Sequence, residues 1–177
     1  MGDRNDPPVK ALSLNINEKL DESNVECDCK NLMIVDDEVF NIKIMEKLLK
    51  DLTDWNFYQA LNGQLAYDLY KKKFETNPCR KCSFFRFILC DLNMPVMDGA
   101  QCSKNIIEFT EKELVTKGIN SKDFQSTVII AVSAYTDRDS RDYCLNSGMK
   151  VYLNKPVKKH VLISNLRSLK FISDDKG

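Results

Sequence analysis

Five times along this chain a short apolar run gives way to a stretch with helical spacing, and few folds accommodate that alternation. Leu32-Met33-Ile34-Val35 is continuously apolar, which suits a strand buried on both faces. Behind it, apolar residues at 40, 44, 45, 48, 49 and 52 keep a helical period. Trp55 to Ala60 is aromatic-rich and extended, Leu61-Asn62-Gly63 punctuates it, and Gln64 to Phe74 is helical again. Phe84 to Cys90, Thr127 to Val132 and Lys150 to Asn154 supply three further strands, the second of them almost entirely β-branched. Helical stretches follow each of these. They run from Gly99 to about Lys117, from Asp137 to Asn146 with Ser147-Gly148 as a stop, and beyond Val157 with apolar residues at 161, 162, 166 and 169. Parallel strands need crossover connections, so this order predicts an α/β fold, a parallel sheet with helices on both faces. In such sheets ligands bind beyond the carboxyl ends of the strands, where the strand order reverses.

The 177 residues suit one domain with some excess. Residues 1–29 are polar and aperiodic and read as a flexible arm or linker, 30–172 as the folded unit, and 173–177 as a disordered tail. Lys and Arg number 26 against 26 Asp and Glu, leaving no basic surplus for a nucleic-acid arm or a polybasic membrane patch. No apolar run approaches the ~18–20 residues that span a bilayer. Met1 to Asp6 has no apolar signal core, and Asp6 stands where a myristoylation signal wants Ser or Thr. A soluble cytoplasmic segment with no membrane contact of its own is the expectation, whether or not a parent protein is membrane-attached.

The informative polar residues fall just after strands: Asp36 and Asp37 after the first, Asp91 after the third, Ser133 after the fourth, Lys155 after the fifth. Parallel strands bring these to one edge. Three carboxylates so close repel, and a hard divalent cation with oxygen ligands, such as Mg²⁺, relieves them. An acidic pair after a strand also serves simply to cap a helix.

Four segments make the pattern specific. Ile34-Val35-Asp36-Asp37-Glu38, Asp91-Leu92-Asn93-Met94-Pro95-Val96-Met97-Asp98-Gly99, Val132-Ser133-Ala134 and Tyr152-Leu153-Asn154-Lys155-Pro156 resemble, in order, the signatures of the receiver domain of two-component response regulators. The resemblance covers roughly 30–172 and implies a doubly wound, flavodoxin-like sheet of order 2-1-3-4-5. It implies Asp91 as phosphoacceptor, with Asp37, Asp91 and the Asn93 backbone carbonyl binding Mg²⁺ directly and Asp36 acting mainly through bound water. Ser133 would bond a phosphoryl oxygen, Lys155 would pair with phosphorylated Asp91, and the Lys155-Pro156 peptide would be cis. Tyr152 matches the switch aromatic, which makes residues 137–170 the output surface. The phosphoryl donor would be a histidine kinase or a histidine phosphotransfer protein. Val35-Asp36-Asp37 followed by Asn41 resembles receivers fused to hybrid sensor kinases.

The chain also departs from that pattern. Ser133 replaces the commoner Thr but keeps the hydroxyl. Asn93 and Tyr135 lie two residues after Asp91 and Ser133, where the family tunes phosphate lifetime, and a bulky Tyr135 would screen attacking water. Two connections, around 71–83 and 108–126, are long for the family. Cys79-Arg80-Lys81-Cys82 and Cys27-Asp28-Cys29 each precede strands expected to be neighbours, so four thiolates could meet at the amino-terminal edge and hold zinc. A disulfide staple is another reading, and scattered free thiols the simplest. Cys90, Cys102 and Cys144 read as small core residues.

One rival deserves weighing: a Mg²⁺-dependent phosphatase or phosphotransferase with an aspartyl-phosphate intermediate. Such enzymes resemble an Asp-x-Asp pattern whose second Asp is a general acid, and here Asn93 holds that place and cannot move the proton. The sole histidine, His160, lies outside any phosphorylatable-histidine motif, so the segment is not itself a kinase.

Overall fold

Successive side chains of a strand point to opposite faces, so a strand that is apolar throughout must be covered twice. The computed structural model describes residues 29–135 and 137–173 and shows that double cover. Most of the arm expected over 1–29 and of the tail expected over 173–177 lies outside the described residues. Strands β1 (Asn31–Val35), β2 (Asn56–Ala60), β3 (Phe87–Asp91), β4 (Val128–Ser133) and β5 (Val151–Asn154) form one parallel sheet of order β2-β1-β3-β4-β5. On one face Leu32, Ile34, Phe87, Leu89, Ile130, Val132 and Leu153 pack against α1 (Val39–Lys50) and α5 (Lys159–Ser168), through Ile42, Met45 and Leu49 and through Leu162 and Leu166. On the other, Met33, Val35, Ile88, Cys90, Ile129 and Ala131 pack against α2 (Gly63–Glu75), α3 (Gly99–Thr116) and α4 (Arg138–Asn146). Each fully buried aliphatic or aromatic side chain contributes about 1.5–3 kcal/mol, so the two cores dominate stability. Among the described residues no helix is long and apolar enough to cross a membrane.

Local chemistry sets the helix starts. The side chains of Asn62, Asp98 and Asp137 accept the backbone N–H of Leu65, Gln101 and Ser140 at 2.9, 2.7 and 2.8 Å. Such caps contribute ~1 kcal/mol each. The buried Tyr70 hydroxyl meets Ser83 Oγ at 3.0 Å and Thr110 Oγ1 at 2.8 Å, tying α2 to α3 and to the segment leading into β3.

Two element boundaries and the extent of one connection differ from the sequence expectation. The third strand begins at Phe87, because Phe84 and Phe85 turn their rings onto Tyr58 at 5.4 and 5.2 Å. Their carbonyls are taken by side chains, Asn31 Nδ2 at 3.1 Å and Thr127 Oγ1 at 2.6 Å. Helix α1 stops at Lys50, where the Leu52 and Thr53 amides both return to the Leu49 carbonyl at 2.9 Å. Helix α3 runs on to Thr116, so the second long connection starts at 117 rather than near 108, and it holds a 3-10 turn at Ser121–Asp123. The two long connections pair with each other. Cys82 bridges Gln125 in parallel, with Ser83 N–H on the Gln125 carbonyl at 3.0 Å and Gln125 N–H on the Lys81 carbonyl at 2.8 Å.

Candidate functional site

Because all five strands run the same way, the residues that end them share one edge. The carboxylate oxygens of Asp36 and Asp37, just past β1, and of Asp91, at the end of β3, lie within 4.8 Å of one another. Asp36 and Asp91 are buried and Asp37 is exposed. Lys155, just past β5, inserts its ammonium between the buried pair, 2.7 Å from Asp36 Oδ2 and 3.0 Å from Asp91 Oδ2. The other Asp36 oxygen accepts the Glu38 backbone N–H at 2.9 Å and Asn41 Nδ2 at 3.0 Å. Asp36 therefore serves both readings of an acidic pair: one oxygen steadies the entry to α1 and the other holds the lysine.

The charges do not balance. Three carboxylates face one ammonium, and burial pushes the Asp91 carboxyl above its ordinary value although Lys155 and the Asn93 backbone N–H pull it down. Burial alone would lower the Lys155 ammonium, but its hydrogen bonds to Asp36 and Asp91 outweigh that and hold it above the usual lysine value. Lys155 thus stays charged at neutral pH and leaves a residual negative field. The donors are all hard oxygens, and the excess charge and partial exposure fit an ion that keeps some of its waters, as Mg²⁺ does.

Ser133, at the end of β4, is fully buried; its hydroxyl accepts the Tyr135 N–H at 3.1 Å and its carbonyl accepts the Lys155 N–H at 2.7 Å. The Ser133–Asn154 pairing of β4 with β5 fixes that second contact. Tyr135 projects outward, while its carbonyl accepts the Tyr152 hydroxyl at 2.6 Å. Tyr152 is half-buried and thereby tied to the loop that follows Ser133. The Lys155-Pro156 peptide is cis. Asn93 is exposed. Beyond it, Met97 N–H returns to the Pro95 carbonyl at 2.9 Å around Val96, whose φ of 72° is strained for a β-branched residue.

Sequence reasoning placed the acidic residues, Ser133 and Lys155 at this edge but gave Asn41 no part in it. Its signal was a polar residue in the first turn of α1, five positions after Asp36, on the helix side that faces the strand ends. At the opposite edge the Sγ atoms of Cys29, Cys79 and Cys82 also lie within 4.8 Å of one another; Cys27 lies outside the described residues. Cys90, Cys102 and Cys144 are buried in the core, as their sequence context implies.

Over 129 residues the chain is 33% identical to hybrid signal transduction histidine kinase B of Dictyostelium discoideum, an alignment covering 73% of this chain. It spans only 6% of that relative's length. Among solved structures, the receiver domain of Ssk1 from Saccharomyces cerevisiae, crystallised with the histidine phosphotransfer protein Ypd1, superposes with a TM-score of 0.63 at 28% identity. That match covers 82% of this chain and 92% of the other. The CheX-CheY-BeF3-Mg²⁺ complex from Borrelia burgdorferi gives a TM-score of 0.62 at 25% identity, covering 81% of this chain and 90% of that one. The response regulator receiver domain family matches residues 32–167, a span that takes in the five strands, save the first residue of β1, and the acidic and basic groups at their carboxyl ends. The chain belongs to that family, and is a receiver domain of phosphorelay signalling.

Proposed function

We propose that this domain takes a phosphoryl group from a phosphohistidine onto Asp91, with Mg²⁺ held by Asp37, Asp91 and the Asn93 carbonyl and with Asp36 acting through water. The observation that carries the reading is the Lys155 ammonium set between Asp36 and Asp91 at the end of the sheet. Receiver domains are signalling phosphoacceptors rather than turnover enzymes. Bound Mg²⁺ supplies charge neutralisation for the transferring group. The chain's own residues do the rest: an Asp91 carboxylate oxygen forms the new O–P bond as the P–N bond of the donor breaks, and the leaving imidazole takes a proton from solvent. Negative charge on a phosphoryl group meets the Lys155 ammonium, already positioned beside the two buried carboxylates, so the charge is met by a preorganised cation and little covalent work remains.

The acyl phosphate adds charge and acceptor oxygens beside Lys155 and Ser133. A Ser133 hydroxyl that turns to donate to a phosphoryl oxygen shifts the acceptor of the Tyr135 N–H, and the Tyr135 carbonyl holds Tyr152, so the event reaches the α4-β5-α5 surface through two hydrogen bonds. The donor is a histidine kinase or histidine phosphotransfer protein, in keeping with the hybrid-kinase relatives and the Ypd1-bound receiver.

Incubation with a small-molecule phosphodonor and Mg²⁺, followed by intact mass, tests this. One phosphoryl group should be gained by the wild type and none by Asp91→Asn. Sustained hydrolysis of added phosphomonoesters would point instead to a phosphatase. Tyr135→Ala should shorten the life of the phosphorylated state severalfold, read as loss of the phosphorylated mass over time; an unchanged lifetime would remove Tyr135 from the screen against water.

A further inference from the structure

We infer that Cys29, Cys79 and Cys82 form a structural zinc site at the amino-terminal edge of the sheet, across the molecule from the acidic edge. Three sulfurs from two distant segments converge there, all within 4.8 Å of one another. Cys29 stands two residues before β1, and Cys79 and Cys82 lie in the connection from α2 to β3. Since β1 and β3 are neighbours with Leu32 opposite Phe87, the sheet itself brings the two segments side by side.

The spacing suits a metal and not a disulfide. Cys79 and Cys82 Sγ are 3.6 Å apart. Tetrahedral zinc with Zn–S bonds of about 2.3 Å sets its sulfurs about 3.8 Å apart, whereas a disulfide needs about 2.05 Å. The turn that carries this pair is held from both sides. Asn77 Oδ1 accepts the Cys79 N–H at 3.2 Å and its Nδ2 donates to the Cys82 carbonyl at 2.9 Å. Beyond Cys82, the Ser83 and Gln125 backbone amides lock the strand-like bridge to the second long connection. A side chain clasping the backbone of both ligand residues is the kind of outer support that orients metal ligands.

The ligand set and its charge also agree. Soft thiolates select zinc over hard cations. A closed structural site takes four ligands, and the sequence carries a further cysteine, Cys27, two residues before Cys29. Three thiolates around Zn²⁺ already leave a net negative charge, and Lys30, Arg80 and Lys81 stand next to the cysteines in the sequence. Zinc there would bind the start of β1 to the entry of β3 and fix the direction from which the preceding polypeptide approaches. This also accounts for the length of the connection after α2, which the phosphoryl-transfer chemistry does not use.

Elemental analysis of the full chain, purified under reducing conditions without chelator, should find one zinc per molecule, retained in Asp91→Asn. Cobalt titrated into stripped protein should give thiolate charge-transfer and tetrahedral ligand-field bands. Cys29→Ser, Cys79→Ser and Cys82→Ser should each weaken binding at least tenfold. Removing zinc from the wild type should lower the melting temperature by about 5–10 °C, restored on readdition, which does not depend on any variant folding. Zinc below a tenth of an equivalent with no cobalt spectrum, or a non-reducing mass showing a disulfide among these residues, would overturn the site.

Discussion

Lys155→Met should slow phosphoryl uptake at Asp91 by ~10²–10³-fold, the usual cost of deleting one charged or hydrogen-bonding group aimed at developing charge. The same change should destabilise the domain in Mg²⁺-free buffer by about 3–5 kcal/mol, because it strands two buried carboxylates whose shared cation sits at 2.7 and 3.0 Å. The two effects have different pH signatures. Asp91 already titrates above its ordinary 3.8 because of burial, and loss of the ammonium drives it higher. The native state then holds a proton more tightly than the unfolded chain. Stability linked to that proton is present in full below the unfolded value and is lost as pH rises through the folded one. Thermal unfolding should therefore show a small gap between variant and wild type near about pH 4 and a wide one at about pH 7–8. Adding Mg²⁺ should narrow it. Equal melting temperatures across that range would mean that Lys155 does not neutralise the buried pair.

The site was legible in the sequence because its groups are carried by strand ends, and a parallel sheet leaves strand ends no freedom to disperse. Asp36, Asp91, Ser133 and Lys155 needed only the count of strands and a common direction to be placed together. Strand order could not be read from periodicity and came from the resemblance of the four signature segments. What escaped were contacts made by residues whose local pattern is unremarkable. Asn41 sits on a helix face where any polar residue would be tolerated, and only the distance to Asp36 gives it a part. Phe84 and Phe85 continue an apolar run that the strand pattern absorbs, yet aromatic packing against Tyr58 and Tyr70 draws them out of the ladder. In the same way, the pairing of the two long connections through Cys82 and Gln125 has no sequence signal, since neither segment alternates.

Gly99→Ala should cost about 3 kcal/mol or more, and should do so by moving Asp91. A Cβ at Gly99 would stand 2.2 Å from the Asp91 carbonyl oxygen, 3.0 Å from its carbonyl carbon and 3.1 Å from Cys90 Sγ. The first two are backbone atoms of β3, which cannot swing aside as a flexible side chain does. Nor can α3 readily retreat, because the Gly99 N–H is fixed to the Leu92 carbonyl at 3.0 Å and Asp98 caps the helix. The strain must pass into the end of β3, where Asp91 is aligned against Lys155. Denaturant unfolding and phosphoryl uptake should consequently fall together in this variant. Gly118→Ala provides the contrast. Its φ of 64° penalises a side chain, but nothing lies within 4 Å of the added atom, so only the conformational cost of about 1–2 kcal/mol applies and uptake should not change. If Gly99→Ala proved no more costly than Gly118→Ala, the close approach of helix to strand would not be what positions Asp91.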